Sequence, residues 1–237
     1  ECLMKILISG ASSGIGLATA RQLLELDHEV TGISRQSETA QLDHPNFSLF
    51  QLDLNRLDDC DQKLNLLLKE HSFDCFIHCA GYGHFGSIEQ FSVAQIDRAI
   101  RVNLTSALVL CRLLVPMFRR QKQGKLIFIG SESALNAGKK GVLYSAAKFG
   151  LRGFCQALRE DCAKDGIGVS LVNPGMVRSP FFDEQSFAPA SQPENAIETG
   201  DVAKLICQVL QTSANIVIDE INLSPRVKSI DFSPKSR

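Results

Sequence analysis

A doubly wound α/β fold, with a parallel sheet of about seven strands, is the class the sequence predicts, on three observations. Short apolar runs alternate with longer amphipathic stretches along the chain, as when strands buried on both faces alternate with helices that cover them. The first run, Lys5-Ile6-Leu7-Ile8-Ser9, leads straight into Gly10-Ala11-Ser12-Ser13-Gly14-Ile15-Gly16 and then an amphipathic stretch to Leu26. That is a strand, a glycine-rich turn and a helix. The residues able to carry chemistry also fall just past expected strands, where an open parallel sheet takes up ligands.

Taken in order, strands are expected near 4–9, 29–34, 47–52, 73–80, 125–131, 168–173 and 215–219. Each is a brief run rich in β-branched, aromatic or leucine side chains, for example Leu126-Ile127-Phe128-Ile129 and Ile216-Val217-Ile218. Helices are expected near 14–26, 56–70, 92–121, 142–164 and 201–212, where apolar residues recur at helical spacing. The stretch from Arg178 to Thr199 breaks the alternation. It mixes Phe181, Phe182 and Phe187 with Pro180, Pro189 and Pro193, so a mobile flap is expected there. The tail after Pro225 is short and polar and reads as peripheral.

A length of 237 residues suits one domain spanning 1–237. The formal net charge of −1 gives no reason to expect nucleic acid or an anionic membrane as partner. Arg119, Arg120, Lys122 and Lys125 cluster at the end of the long helix, where cations complement the dipole. No run approaches the roughly 18 apolar residues of a membrane span, and Met4 is read as the native start with no signal peptide before the first strand. The eight cysteines are scattered without a Cys-x-x-Cys pair. A reduced, cytoplasmic protein is expected.

The chemistry is concentrated in Tyr144 and Lys148, four residues apart, with Ser131 thirteen residues upstream. A lysine one helical turn from a tyrosine shares its face. Its charge is expected to draw the phenol from about 10 toward neutral pH. Ser131 ends an apolar strand, where its hydroxyl can hold a substrate oxygen against the tyrosine. In the glycine turn, backbone N–H groups at a helix start attract a pyrophosphate. Its spacing is G-x-x-x-G-x-G.

With Gly10, Gly14, Gly16, Asp53, Ala80-Gly81, Asn103, Ser131, Tyr144, Lys148 and Asn173-Pro174-Gly175-Met176-Val177-Arg178-Ser179 all in order, the chain resembles the single-domain branch of the short-chain dehydrogenase/reductase family. The resemblance runs from about Lys5 to Leu223. It implies a Rossmann-like fold and a homodimer or homotetramer built on the two long helices. It also implies cofactor contacts at Gly10, Ser12, Ser13, Gly14, Ile15, Gly16, Ala80, Gly81, Pro174, Gly175, Val177 and Ser179, with Tyr144 and Lys148 at the nicotinamide ribose. Asn103 would hold a water linking the lysine to solvent, and the segment 178–199 would close over the substrate.

Four positions need separate weighing. Asp53, with Leu54 after it, suits the adenine side of the crevice, although an aspartate there can simply cap the next helix. Ser34 stands where an NAD site carries a carboxylate, and Arg35 follows it. A guanidinium can grip a 2′-phosphate in bidentate fashion, so NADP is expected over NAD. Ser13 occupies a turn position that is basic in many NADP-preferring relatives. His78-Cys79-Ala80-Gly81 keeps the alanine and glycine of the family's N-N-A-G and loses both asparagines. A hydrogen-bonded strand-end histidine and a packed cysteine are expected, with no metal.

Together these residues predict hydride transfer between NADP(H) and a carbonyl or secondary alcohol of unspecified identity. Tyr144 is the proton donor, Ser131 the oxygen holder, Lys148 the ribose and phenol partner, and Asn103 part of the proton path. The alternative is a catalytically silent NADP-binding regulator or scaffold of the same fold. A sugar-nucleotide epimerase would need an added C-terminal substrate domain.

Overall fold

The computed structural model describes residues 3–35 and 42–232, so Cys2 lies outside the described residues. Seven strands form the main sheet: β1 Lys5–Ser9, β2 Glu29–Ser34, β3 Phe47–Gln51, β4 Cys75–His78, β5 Gly124–Ile129, β6 Ile167–Pro174 and β10 Glu220–Leu223. Three two-residue strands lie between the last two: β7 Val177–Arg178, β8 Ala188–Pro189 and β9 Ile197–Glu198. A fourth, β11 Ile230–Asp231, follows them.

The sheet order is β3-β2-β1-β4-β5-β6-β10 and every pairing in it is parallel. The chain builds outward from β1 in one direction and then from β4 in the other. Strand order therefore reverses between β1 and β4, and a crevice opens beyond their C-terminal ends.

Both faces of the sheet are covered, which is why its central strands carry no polar alternation. On one face Leu7, Phe76, Leu126 and Phe128 pack with Cys60 and Leu64 of α2 (Leu57–Glu70) and Leu110, Leu114 and Phe118 of α4 (Ser106–Gln121). Leu151 and Cys155 of α5 (Val142–Cys162) complete that layer. On the other face Ile6, Ile8, Ile77 and Ile127 meet Ala20 and Leu23 of α1 (Gly14–Glu25) and Val202 and Ile206 of α6 (Thr199–Leu210). These are the two windings that the alternation predicts.

Three expectations need correction. First, the long helix is α3 (Val93–Ile100), a π-turn at Arg101–Thr105 and α4 in succession, so Asn103 sits in the distortion. By length and composition the run Val93–Gln121 suffices to cross a membrane. Here its inner face, from Leu110 to Phe118, is core.

Second, the last strand is Glu220–Leu223 and not 215–219. The apolar run Ile216-Val217 lies outside it, both residues exposed. Polar partners set the register instead: Asn173 Nδ2 on β6 donates to Glu220 Oε1 at 2.8 Å and to Asn222 Oδ1 at 3.0 Å. Arg152 of α5 pairs with Glu220 as well.

Third, the segment 178–199 is tied down. β7 pairs with β9, and β8 pairs antiparallel with β11. The tail is consequently part of the fold.

Candidate active site

The glycine turn packs against the end of β4 with no room for side chains. Gly10 has φ +73°, and a β-carbon there would fall 2.8 Å from the Ala80 Cα. One on Gly16 would fall 2.2 Å from the Gly10 carbonyl oxygen. Helix α1 begins here with Ser13 at its N-cap, no side-chain cap bond and no acidic residue in the first turn. The backbone N–H groups at Ser13, Gly14, Ile15 and Gly16 thus present the positive end of the helix dipole, a cradle that fits a pyrophosphate. Ser12 sits in the turn, and Ser179, after β7, closes on the cradle: a β-carbon at Gly14 would lie 3.7 Å from the Ser179 Cβ.

Across the crevice, Ser131 follows β5, and Tyr144 and Lys148 share a face of α5. Ser131 and Tyr144 line the same cavity, and the Ser131 hydroxyl lies near enough to act on the phenol. Ser131 Oγ accepts the Ser133 N–H at 3.1 Å, and its own N–H donates to Asn173 Oδ1 at 3.2 Å. Two strands and a short 3₁₀ turn therefore fix this hydroxyl. Lys148 Nζ is buried, donates to the Ile129 carbonyl at 2.8 Å and lies 5.6 Å from the Tyr144 ring centroid.

The direction of the tyrosine shift differs from expectation. Burial pushes Tyr144 up to about 12, with the neighbouring Ser131 hydroxyl pulling the other way. Burial also brings Lys148 down to about 8. The amine sits over the ring and against a carbonyl, so removal from water outweighs its help to a phenolate. At neutral pH Tyr144 holds its proton.

Asn103 is buried, and its Nδ2 donates to the carbonyls of Tyr82 at 3.1 Å and Ala99 at 3.0 Å. Its Oδ1 accepts the Tyr82 N–H at 3.0 Å. It pins the loop after β4, and a β-carbon on Gly81 would fall 2.8 Å from that Oδ1 and 3.7 Å from Lys148 Nζ. His78 Nδ1 bonds Ser9 Oγ at 2.8 Å while its buried Nε2 has no hydrogen-bond partner, so it is half and not fully satisfied. Burial first and Lys148 second hold it down at about 3. Cys79 faces the crevice, pushed up to about 12 by burial.

Toward β2 and β3, Ser34 is buried at the end of its strand and Arg35 is exposed just beyond it. Gln51 Nε2 donates to the Arg35 carbonyl at 3.0 Å. Asp53 Oδ1 accepts the N–H of Asn55 at 3.0 Å, a local turn bond, and Leu54 is buried beneath it.

A cavity of about 670 Å³ joins Ile15, Cys79 and Gly81 to Ser131, Tyr144 and Lys148, and then to Pro174, Gly175 and Val177. A second cavity, about 710 Å³, opens at the opposite ends of the strands beside Met4 and Lys125 and holds none of the predicted site residues.

The profile of the family described as short chain dehydrogenase matches residues 4–188. The chain belongs to the short-chain dehydrogenase/reductase family.

Among its relatives is the short chain dehydrogenase adrF of Penicillium roqueforti, 31% identical over 198 residues that cover 82% of this chain and 77% of that protein. The 3-oxoacyl-[acyl-carrier-protein] reductase FabG of Buchnera aphidicola is 32% identical over 183 residues, 75% of each. Among solved structures, ElxO with NADP bound superposes with a TM-score of 0.84 at 20% identity, covering 94% of this chain and 98% of that one. A 4-hydroxyisoleucine dehydrogenase complexed with NADH reaches 0.82 at 23% identity, covering 94% and 97%. The fold is the one these dehydrogenases share, and the family's chemistry acts on alcohols and carbonyls.

Of the predicted residues, Ile15, Gly81, Ser131, Tyr144, Lys148, Pro174, Gly175 and Val177 line the cavity of about 670 Å³, whereas Ser34, Arg35, Asp53 and Leu54 lie at or just past the ends of β2 and β3, outside its lining. Sequence reasoning missed the residues around its mouth. Phe85, from the loop after β4, lies 5.4 Å from the Tyr144 ring and 5.0 Å from Phe187, centroid to centroid. Ile230 and Phe232, from the tail taken as peripheral, line the same cavity. Val227, Ile230 and Phe232, apolar side chains in an otherwise polar tail, were the available signal.

Proposed function

We propose that this dehydrogenase transfers hydride between NADP(H) and a carbonyl or secondary alcohol, in a single domain whose segment 178–199 closes the substrate side. The observation that carries this reading is Ser131, Tyr144 and the buried Lys148 amine together on the wall of one cavity, which also takes in Ile15 of the glycine turn. The dinucleotide, when bound, supplies or accepts the hydride. The chain's own groups do the rest. The cradle from Gly10 to Gly16 holds the pyrophosphate, Asp53 and Leu54 border the adenine, and Ala80 and Gly81 let the ribose approach the backbone. Arg35 beside Ser34 holds a 2′-phosphate, and Pro174, Gly175, Val177 and Ser179 frame the carboxamide.

In the reducing direction Tyr144 gives its proton to the substrate oxygen as charge grows there, and Ser131 hydrogen-bonds the same oxygen. A hydroxyl held near 12 is protonated at neutral pH, which suits donation. Lys148 positions the ribose, and Asn103 keeps Gly81 and the proton path in place. Neighbours solved with NADP support the cofactor choice, and one solved with NADH makes its strictness a matter for titration.

A panel of carbonyls read by NADPH absorbance, with both nucleotides titrated, tests this reading. Tyr144→Phe should cost at least about 10³-fold in turnover while NADPH still binds. Near-normal turnover of that variant would remove the proton-donor role. Equal affinity for NADH and NADPH would remove the role of Arg35.

A further inference from the structure

The tail after β10 reaches the site through five ties. β11 pairs antiparallel with β8 through Ile230–Pro189 and Asp231–Ala188. The Ala190 N–H donates to the Ser229 carbonyl at 3.0 Å, and the Val227 N–H to the Glu194 carbonyl at 3.0 Å. Buried Asn195 donates through Nδ2 to the Val227 carbonyl at 3.0 Å. Lys228 pairs with Glu132, the residue after Ser131. The tail therefore bridges the segment 178–199 to the loop that carries the Ser131 hydroxyl.

Its apolar side chains are not buried by that bridging. Ile230 is 46% exposed and Phe232 78% exposed, and both line the 670 Å³ cavity. A single exposed apolar side chain needs no explanation, but these two stand together on a cavity that also holds phenylalanines, and contiguous apolar surface of that kind marks a ligand-binding groove. Behind them the rings form a continuous series: Tyr144 to Phe181 at 5.6 Å, Phe181 to Phe182 at 5.0 Å, and Phe182 to Phe187 at 5.7 Å. The polar groups at the mouth, Lys139 and Lys140, line its other side.

We infer that residues 225–232 are a strap forming the outer wall of the substrate site, clasped by the Lys228–Glu132 pair. The site it completes accepts carbonyl compounds with a ring-sized apolar arm. The arm lies between the phenylalanines and the strap while the carbonyl reaches Tyr144 and Ser131. This rests on the proposed reading of the site, deepening it from any carbonyl to a class.

Equilibrium dialysis of 2-acetonaphthone and of butanone against the full chain with NADP⁺ present, alongside NADPH oxidation with each in separate assays, tests the strap. Affinity for the aryl ketone should exceed that for butanone at least about tenfold, and Ile230→Ala with Phe232→Ala should reduce that ratio by about tenfold. Lys228→Glu, which sets two carboxylates against each other, should reduce the ratio too. Adding Glu132→Lys should restore it, which a merely unfolded protein would not do; circular dichroism checks the fold of each variant. A ratio near one in the unmodified chain, or a ratio that the strap and clasp variants leave unchanged, overturns the inference. Strap-dependent binding without any reduction would instead sink the reductase reading and leave the strap standing.

Discussion

Lys148 is the residue whose environment does most to set the chemistry beside it. Burial takes it from the ordinary lysine value of 10.5 to about 8. Between those values the unfolded chain holds the proton and the folded one does not. Stability linked to this group therefore rises as pH climbs from about 8 toward 10.5. Between pH 7.5 and 9.5 the gain is about 2 kcal/mol, at roughly 1.4 kcal/mol per unit above the folded value. Tyr144 works in the opposite sense, but only above its ordinary value of 10. The buried cysteines, Cys79 and Cys155 among them, are raised by burial from 9.0 and work against that gain in the same window, so the Lys148 share is read as a difference. Between the two pH values, urea unfolding should shift in favour of the unmodified protein over Lys148→Met by about that amount, and an identical pH response in the two would assign the dependence to other groups.

At the scale of elements, the π-turn Arg101–Thr105 turns Asn103 inward, where it meets three backbone groups at once. Asn103→Ala would leave the Tyr82 N–H and the carbonyls of Tyr82 and Ala99 without their partner. Because unmade buried bonds cost more than made ones gain, the variant should lose about 2 kcal/mol or more in urea unfolding. A loss within about 0.5 kcal/mol, the range of an ordinary surface substitution, would show the contacts to be incidental. Asn103 was legible because a polar residue interrupts an apolar pattern, but that pattern gave one helix over 92–121 and did not place the π-turn. The strand β10 was not legible. Ile216-Val217-Ile218 looks more strand-like than Glu220-Ile221-Asn222-Leu223, yet the register is set by Asn173 and Arg152 from distant elements. A linear pattern carries no information about such partners.

On the whole molecule, α4 and α5 leave Leu108, Val142 and Phe149 exposed at 38%, 42% and 43%. The proposed homodimer or homotetramer would cover them against their copies about a two-fold axis. Light scattering should give a multiple of the 26.0 kDa chain mass, and Phe149→Glu should shift it toward one chain. A single-chain mass for the unmodified protein would refute the assembly. The sheet, its two windings and the crevice were legible because alternating apolar runs dictate them wherever both faces are covered. The strap was not, since two-residue strands such as β8 and β11 have too few residues to show a period. Their pairing depends on a return of the chain across some forty positions.

The cluster of rings around Tyr144 has an optical consequence. The chain has no tryptophan and two tyrosines, Tyr82 and Tyr144. Tyr144 lines the cavity against Phe85 and Phe181, and Tyr82 sits in the loop that Asn103 pins. Tyrosine emission therefore comes from two rings, one of them on the wall of the proposed nicotinamide site, and the reduced nicotinamide absorbs in the tail of that emission. The unlabelled protein is its own sensor: NADPH should quench that emission on binding, with Tyr144→Phe isolating the share from Tyr82. Undiminished emission at saturating NADPH would place the dinucleotide elsewhere.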